Sequence, residues 1–288
     1  MINLSNFDSS VFENYDINLV QKEVDGGRIS REQIDGIREC AEAESIVISG
    51  LNQENFDYFV NTYGKQFKAI NFWKNKTVSD LSALSGLTDI EYISLFYNQK
   101  ADRLWNMTDN KKLVALSLSD FNRLHSLAGI EKAGNLKTFY IYDRVYARME
   151  LDSLMPISNT DIRHFMWGGR RVRDNDYACL ANGKIEEPDI APTQFKMEEL
   201  AQLLACFPEK LKGTITKPYT KGGVMDKDGF REIFSLCKGK KSCVRGRDDE
   251  RFERYLREFE GMLSECRKNI CTMHPEYCGF MAVGICLE

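Results

Sequence analysis

The sequence predicts an α/β solenoid, with parallel strands along one face, short helical or 3₁₀ return segments behind them, and a helical N-terminal cap. Three observations predict it. First, the motif hydrophobic-x-x-hydrophobic-x-hydrophobic occurs at Phe67/Ile70/Phe72, Ile90/Ile93/Leu95, Leu113/Leu116/Leu118 and Leu136/Phe139/Ile141, with start positions 23 residues apart. A fixed period of that size means one structural unit stacked on copies of itself. Second, weaker copies flank the run, Ala43/Ile46/Ile48 starting 24 residues before it and Ile162/Phe165/Trp167 starting 26 after its last member. Third, the 288 residues are 43% hydrophobic and 28% charged, an ordinary globular composition able to bury a core.

Residues 1–42 carry no copy of the motif. Ser30-Arg-Glu-Gln33 reads as a capping box that opens a helix through Cys40 and Ala41, with Ile34, Ile37 and Ala41 on one face. The end of a stacked array must be covered, because it would otherwise expose core and unpaired strand groups. This segment is expected to do that.

Residues 43–170 are expected to hold the array, each unit a short strand and a return path. Leu51 to Tyr63 reads as a helical return through Phe56, Phe59 and Val60. In the next unit Val78, Leu81, Leu84 and Leu87 fall every three positions, the spacing of a 3₁₀ turn. Residues 171–288 are expected to form irregular repeats or a C-terminal capping region. Within them 171–196 reads as loop, Met197–Cys206 as a helix ended by Pro208, Leu211–Lys217 as a strand, Gly229–Cys237 and Asp248–Arg267 as helices, and Gly279–Leu287 as a strand.

The units Phe67-Lys-Ala-Ile70-Asn-Phe72-Trp-Lys-Asn75 and Ile90-Glu-Tyr-Ile93-Ser-Leu95-Phe-Tyr-Asn98 resemble the leucine-rich repeat pattern L-x-x-L-x-L-x-x-N. The continuation from Asn75 to Leu87 is similar to the short-repeat class of bacterial internalins. The resemblance covers roughly residues 43–170. It implies that the asparagine at position 9 sits buried at a turn, its amide bonding backbone of adjacent coils, as a buried amide must. The third unit departs from the pattern with Phe121 at that place and Asn122 beside it, and the fourth with Arg144, so the ladder is interrupted.

Side chains alternate along a strand, so positions 3, 5 and 7 point away from the core. This puts Trp73, Tyr92, Phe96, Tyr97, Tyr140, Tyr142, His164 and Met166 on a concave face that solvent would otherwise touch. Aromatics on a rigid sheet offer contact area at little entropic cost and suit a protein-binding site, though they also pack on one another as cross-strand neighbours. Arg170, Arg171 and Arg173 follow Gly168-Gly169 and either border the face or form a solvated loop.

Other functions find little in the chain. There is no nucleophile elbow, phosphate loop, dinucleotide fingerprint or metalloprotease helix, so the protein is not expected to be an enzyme and no cofactor is expected. Nine cysteines without a secretory signal suggest reduced thiols and a cytoplasmic location. A candidate zinc set is Cys266-x4-Cys271-x2-His274-x3-Cys278, but ordinary thiols or a disulfide explain the same residues, and no metal is expected. No membrane span is expected. Charge is uneven: residues 1–67 hold 12 acidic and 5 basic residues, and 210–247 hold 3 acidic and 11 basic. Few aromatics interleave with the basic stretch, so nucleic acid is not the expected partner. The function expected is non-catalytic recognition of a protein partner through the concave strand face. The alternative is an adaptor binding nucleic acid or another anionic ligand through residues 210–247.

Overall fold

A computed structural model of the protein describes residues 14–226 and 229–273. The chain divides into two compact units, Met1–Ile185 and Glu186–Glu288. The first unit is built on strands β1 (Ile17–Leu19), β2 (Ser45–Ser49), β3 (Ala69–Trp73), β4 (Tyr92–Asn98), β5 (Ala115–Phe121), β6 (Thr138–Tyr142) and β8 (His164–Gly168). They lie side by side in that order and all run parallel. The short strands β7 (Glu150–Leu151) and β9 (Arg171–Val172) pair separately.

The register follows the period of the sequence. Ile46, Ile70, Ile93, Leu116, Phe139 and Phe165 pair in one unbroken row. Ile48, Phe72, Leu95, Leu118, Ile141 and Trp167 form a second row. No member of either row is more than 3% exposed. Each such side chain contributes roughly 1.5–3 kcal/mol on burial, and only neighbouring coils can supply the cover.

The return paths close the core from behind. Helix α2 (Gln53–Thr62) begins at Asn52, whose side chain accepts from the Asn55 amide. Its Phe56 and Phe59 pack on Phe72 at 5.0 and 6.0 Å between ring centroids, and Phe59 on Phe67 at 6.1 Å. The next return is a 3₁₀ turn over Ser82–Gly86, as the three-residue spacing predicts. A later return contains the short helix α3 (Met155–Ser158).

The N-terminal segment differs from the expectation. It holds a strand, β1, that pairs with β2 as a further rung, so it is not a helical cap alone. Three residues are too few to display the motif. The capping box at Ser30 and Gln33 is present, with both reciprocal bonds. The helix it opens, α1 (Arg31–Asp35), is short and passes into a 3₁₀ turn over Gly36–Glu39.

Strand exits recur in one conformation. Gly50, Lys74, Tyr97 and Asp120 have φ of 66°, 51°, 62° and 56°, all left-handed. Gly50 has a second reason to be glycine, because a Cβ there would lie 2.5 Å from the Gly27 carbonyl oxygen. Tyr97 adopts this region against its bulk, at a cost of roughly 1–2 kcal/mol. Just beyond these exits lies the polar ladder. Asn75 donates to the Ile48 carbonyl and accepts from the Leu51 amide. Asn98 donates to the carbonyls of Asn75 and Val78 and accepts from the amides of Lys100 and Ala101. Where the asparagine is missing, the coil geometry survives, because Asp120 accepts from the amides of Arg144 and Val145 one coil further on. A buried amide outside the expected ladder, Asn110, donates to the carbonyls of Leu84 and Leu87 and accepts from the Trp105 indole.

The second unit contains β10 (Glu187–Ile190), α4 (Met197–Ala205), β11 (Tyr219–Asp226), β12 (Gly229–Leu236), β13 (Cys243–Val244) and α5 (Asp249–Met273). Helices α4 and α5 lie where the sequence predicts helices. Three expectations fail. Residues 171–196 carry β9, a 3₁₀ turn at Ala178–Asn182 and β10, so they are not merely loop. Leu211–Lys217 is not a strand, because Gly213 turns with φ of 92° into a 3₁₀ turn at Thr214–Thr216. Gly229–Cys237 is not a helix but β12, paired antiparallel with β11 along its whole length. One face of this hairpin buries Tyr219 and Phe234 against Phe252 of α5, with Phe234 and Phe252 stacked at 4.2 Å. The predicted strand Gly279–Leu287 lies outside the described residues. Among the described residues no helix is long and apolar enough to cross a membrane.

Candidate functional site

The stack of residues 45–168 is a solenoid of parallel-strand coils in register, and its outward strand face is where the candidate site lies. The register arranges that face in three lanes. Ser45, Ala69, Tyr92, Ala115, Thr138 and His164 form the first, and Val47, Asn71, Ser94, Ser117, Tyr140 and Met166 the second. Ser49, Trp73, Phe96, Ser119, Tyr142 and Gly168 form the third. No lane contains Asp, Glu, Lys or Arg.

Four of the eight expected binding residues come together on the third lane and its edge. Trp73 and Phe96 lie 4.2 Å apart between centroids, and Phe96 and Tyr97 5.9 Å. Tyr142 joins through Arg144, whose guanidinium sits 6.0 Å from the Phe96 ring and 5.4 Å from the Tyr142 ring. Tyr92, Tyr140, His164 and Met166 stand apart on the other two lanes. His164 is exposed, and Trp73, Tyr92, Tyr97, Tyr140, Tyr142 and Met166 are half-buried. Phe96 departs from the expectation of a solvent-facing ring, being only 7% exposed between its aromatic neighbours and Arg144.

The sequence reading missed Tyr146, Arg144 and Arg148. They belong to a loop between β6 and β7 where the repeat runs 26 residues instead of 23. Tyr146 packs 6.0 Å from Tyr97, and the two hydroxyls share a 3.0 Å hydrogen bond. Arg148 covers the Tyr146 ring at 5.2 Å, and Lys74 approaches the Trp73 ring at 5.8 Å. The result is a cation-capped aromatic ridge along the strand exits. Such pairs contribute roughly 0.5–1 kcal/mol each at exposed sites. They also hold the rings in place.

The arginines beyond β8 are not simply solvated. Arg170, Arg171 and Arg173 all approach the Glu150 carboxylate, and Arg173 also reaches Asp152 at 2.7 Å. Arg171 above all holds Glu150 below the usual carboxylate range. Asp143, in the ridge loop, behaves in the opposite way. Burial pushes its carboxyl up, and the neighbouring Asp120 charge adds to this, against the hydrogen bond it accepts from the Met149 amide. A carboxyl that binds its proton more tightly when folded stabilises the fold at acid pH and withdraws that support as pH rises through its folded value. Asp143→Asn is therefore expected to flatten the loss of stability as pH rises above 3.8, the ordinary value for the side chain. Thermal melts of both chains across the acid range check this, since all other shifted carboxyls are common to the two.

Of the zinc candidates, Cys266 is half-buried on α5 and Cys271 belongs to the same helix. His274 and Cys278 lie outside the described residues. Among the described residues no three His, Cys, Asp or Glu side chains gather as a metal site. In the basic stretch, Lys238, Lys240 and Lys241 are exposed on the turn between β12 and β13. Lys221 and Arg245 both pair with Glu232, and Arg247 pairs with Asp248.

Neither a family model nor a curated protein matches the chain. Among solved structures it is similar to the crystal structure of an internalin (InlF) from Listeria monocytogenes strain 4b F2365. The similarity has a TM-score of 0.36 at 14% identity and covers 65% of this chain and 64% of the internalin.

Proposed function

We propose that the protein is a non-catalytic recognition module that binds a protein partner through its outward strand face. The observation that carries this reading is the aromatic ridge of Trp73, Phe96, Tyr97 and Tyr146, fixed by Arg144 and Arg148 on a sheet whose register leaves little freedom. Rings already ordered lose little entropy on binding, and Trp, Tyr and Arg are the residues that dominate binding hot spots. Beside the ridge Tyr92, Tyr140 and Met166 are half-buried and His164 is exposed, which adds uncharged side-chain surface, while the small residues between them are buried. This reading includes a cytoplasmic place of action. The alternative, anionic ligands at residues 210–247, has less support, because Lys221, Arg245 and Arg247 are engaged with acidic neighbours.

The test is capture of binding proteins by the full chain and by Trp73→Ala/Tyr97→Ala/Tyr146→Ala. A partner held through the ridge is expected to lose about 30-fold or more in affinity, one hot spot's worth, while circular dichroism stays unchanged. Equal binding to both chains would remove the proposal. Replacing Lys238, Lys240 and Lys241 with alanine is expected to leave the same partner bound.

A further inference from the structure

The outward lanes end beyond β8 in a cluster of arginines. Gly168 closes the third lane beside Tyr142, so tightly that a Cβ there would lie 2.7 Å from that of Tyr142. Just after it the Arg170 amide donates to the Met149 carbonyl at 2.7 Å, and β9 pairs with β7 so that Arg171 stands across from Glu150. Side chains alternate along such a ribbon. Leu151 and Val172 are buried, and Glu150, Asp152, Arg171 and Arg173 project from the other side. Arg148, over the Tyr146 ring, comes two residues before Glu150. The backbone therefore gathers these guanidiniums at the margin where the aromatic ridge ends.

The cluster holds more donors than acceptors. Arg171 meets both Glu150 oxygens, at 3.0 and 3.1 Å, while Arg170 approaches one at 3.5 Å and Arg173 the other at 3.4 Å. Arg173 also reaches Asp152 at 2.7 Å. Among the described residues the three guanidiniums meet no other acceptor, and Arg148 pairs with no carboxylate. The Glu150 side chain is 12% exposed, those of the three arginines between 44% and 65%. Three cations thus crowd one sheltered carboxylate, at a cost in mutual repulsion, with most of their five N–H donors each turned outward. The other carboxylates of this stretch are engaged elsewhere. Asp143 accepts from the Met149 amide, Asp174 from the Asp176 amide and Asp176 from the Cys179 amide, and Asp161 pairs with Lys137 and Lys184.

We propose that Arg170, Arg171 and Arg173, with Arg148, form a subsite for oxyanion side chains, so that the partner segment meeting the aromatic ridge is acidic. Two considerations select this chemistry. An acidic group offers acceptors to several outward guanidinium donors at once, in the forked geometry that they favour. An uncharged segment would strip water from those donors without replacing it, and a basic one would be repelled. One short segment can reach both features. Phe96 on β4 and Gly168 on β8 are three strand spacings apart, about 14 Å, which about five extended residues span. The subsite rests on the recognition role given above and specifies the chemistry of the partner.

The test uses a phage-displayed library of random linear octapeptides selected on the full chain, followed by fluorescence anisotropy with the enriched peptides. Asp and Glu are expected to be enriched, and affinity is expected to fall as NaCl rises from about 50 to about 500 mM. Arg170→Gln/Arg173→Gln is expected to weaken binding about tenfold or more, one charged hydrogen bond's worth, and to flatten the salt dependence. Arg171 still pairs with Glu150 in this variant, and the Tm is expected to hold, because exposed ion pairs add little to stability. A merely structural role for the arginines would leave affinity and its salt dependence unchanged. Enrichment of uncharged or basic peptides, failure to enrich any, unchanged affinity in the variant, or an equal loss on replacing Lys238, Lys240 and Lys241 with alanine overturns the subsite. Resynthesis with phosphoserine in place of Glu separates two sources of the oxyanion. Tighter binding assigns a phosphorylated partner and equal or weaker binding a carboxylate one, and either supports the subsite. If the arginine variant binds the captured protein partner normally while the ridge variant does not, the subsite falls and the recognition role stands. If neither variant affects that partner, both fall.

Discussion

Phe139→Ala is expected to destabilise the repeat array by about 3–5 kcal/mol, the cost of removing a fully buried aromatic side chain from a packed core. Phe139 is 0% exposed and pairs in register with Leu116 and Phe165. Its ring stacks on that of Phe165 with centroids 6.0 Å apart. A stacked array amplifies such a defect, because each coil depends on its neighbours and no other part of the chain can fill the gap. Urea unfolding followed by circular dichroism should show the midpoint fall, with the transition splitting or broadening as the coils on either side uncouple. A loss below about 1 kcal/mol would mean that the row is loosely packed and can collapse into the space.

Asn98→Ala is expected to cost about 2–4 kcal/mol, although it removes only a small polar side chain. Asn98 is 3% exposed and bonds four backbone groups drawn from two coils. Deleting it strands the carbonyls of Asn75 and Val78 and the amides of Lys100 and Ala101 where water reaches them poorly. The comparison is Asn122→Ala, an exposed asparagine in the following coil, expected to change stability by less than about 0.5 kcal/mol. Thermal melts of the two variants separate a structural amide from a surface one of the same type. Similar small effects in both would show that the turn re-forms its bonds without the side chain.

These two residues also show what could be read from the sequence. The rows of Ile70, Ile93, Leu116 and Phe139 were legible because burial on a parallel sheet demands an apolar residue at a fixed interval. The asparagine ladder was half legible. Asn75 and Asn98 stood at the expected place, but Asp120 does the same work one position earlier, where a left-handed exit suits an acidic side chain. Strand β12 was misread because Phe230, Ile233, Phe234 and Cys237 fall at helical spacing while Phe230, Phe234 and Leu236 also share one strand face. Local periodicity could not decide between these patterns, and pairing with the glycine-bearing β11 did. In the outward strand face, the lanes followed from the period, but the ridge did not. Tyr146 and Arg148 sit in no lane, and the only trace of them was a repeat three residues too long.

That surplus matters for how such a molecule diversifies. The buried rows fix where each rung begins and ends, so extra length in a coil has to emerge at the surface. Between β6 and β7 it emerges beside the exposed rings and delivers Tyr146 onto Tyr97. Insertions or deletions at this one bend can therefore alter the exposed aromatic surface while the interior stays untouched. The scaffold confines evolutionary change to its margin.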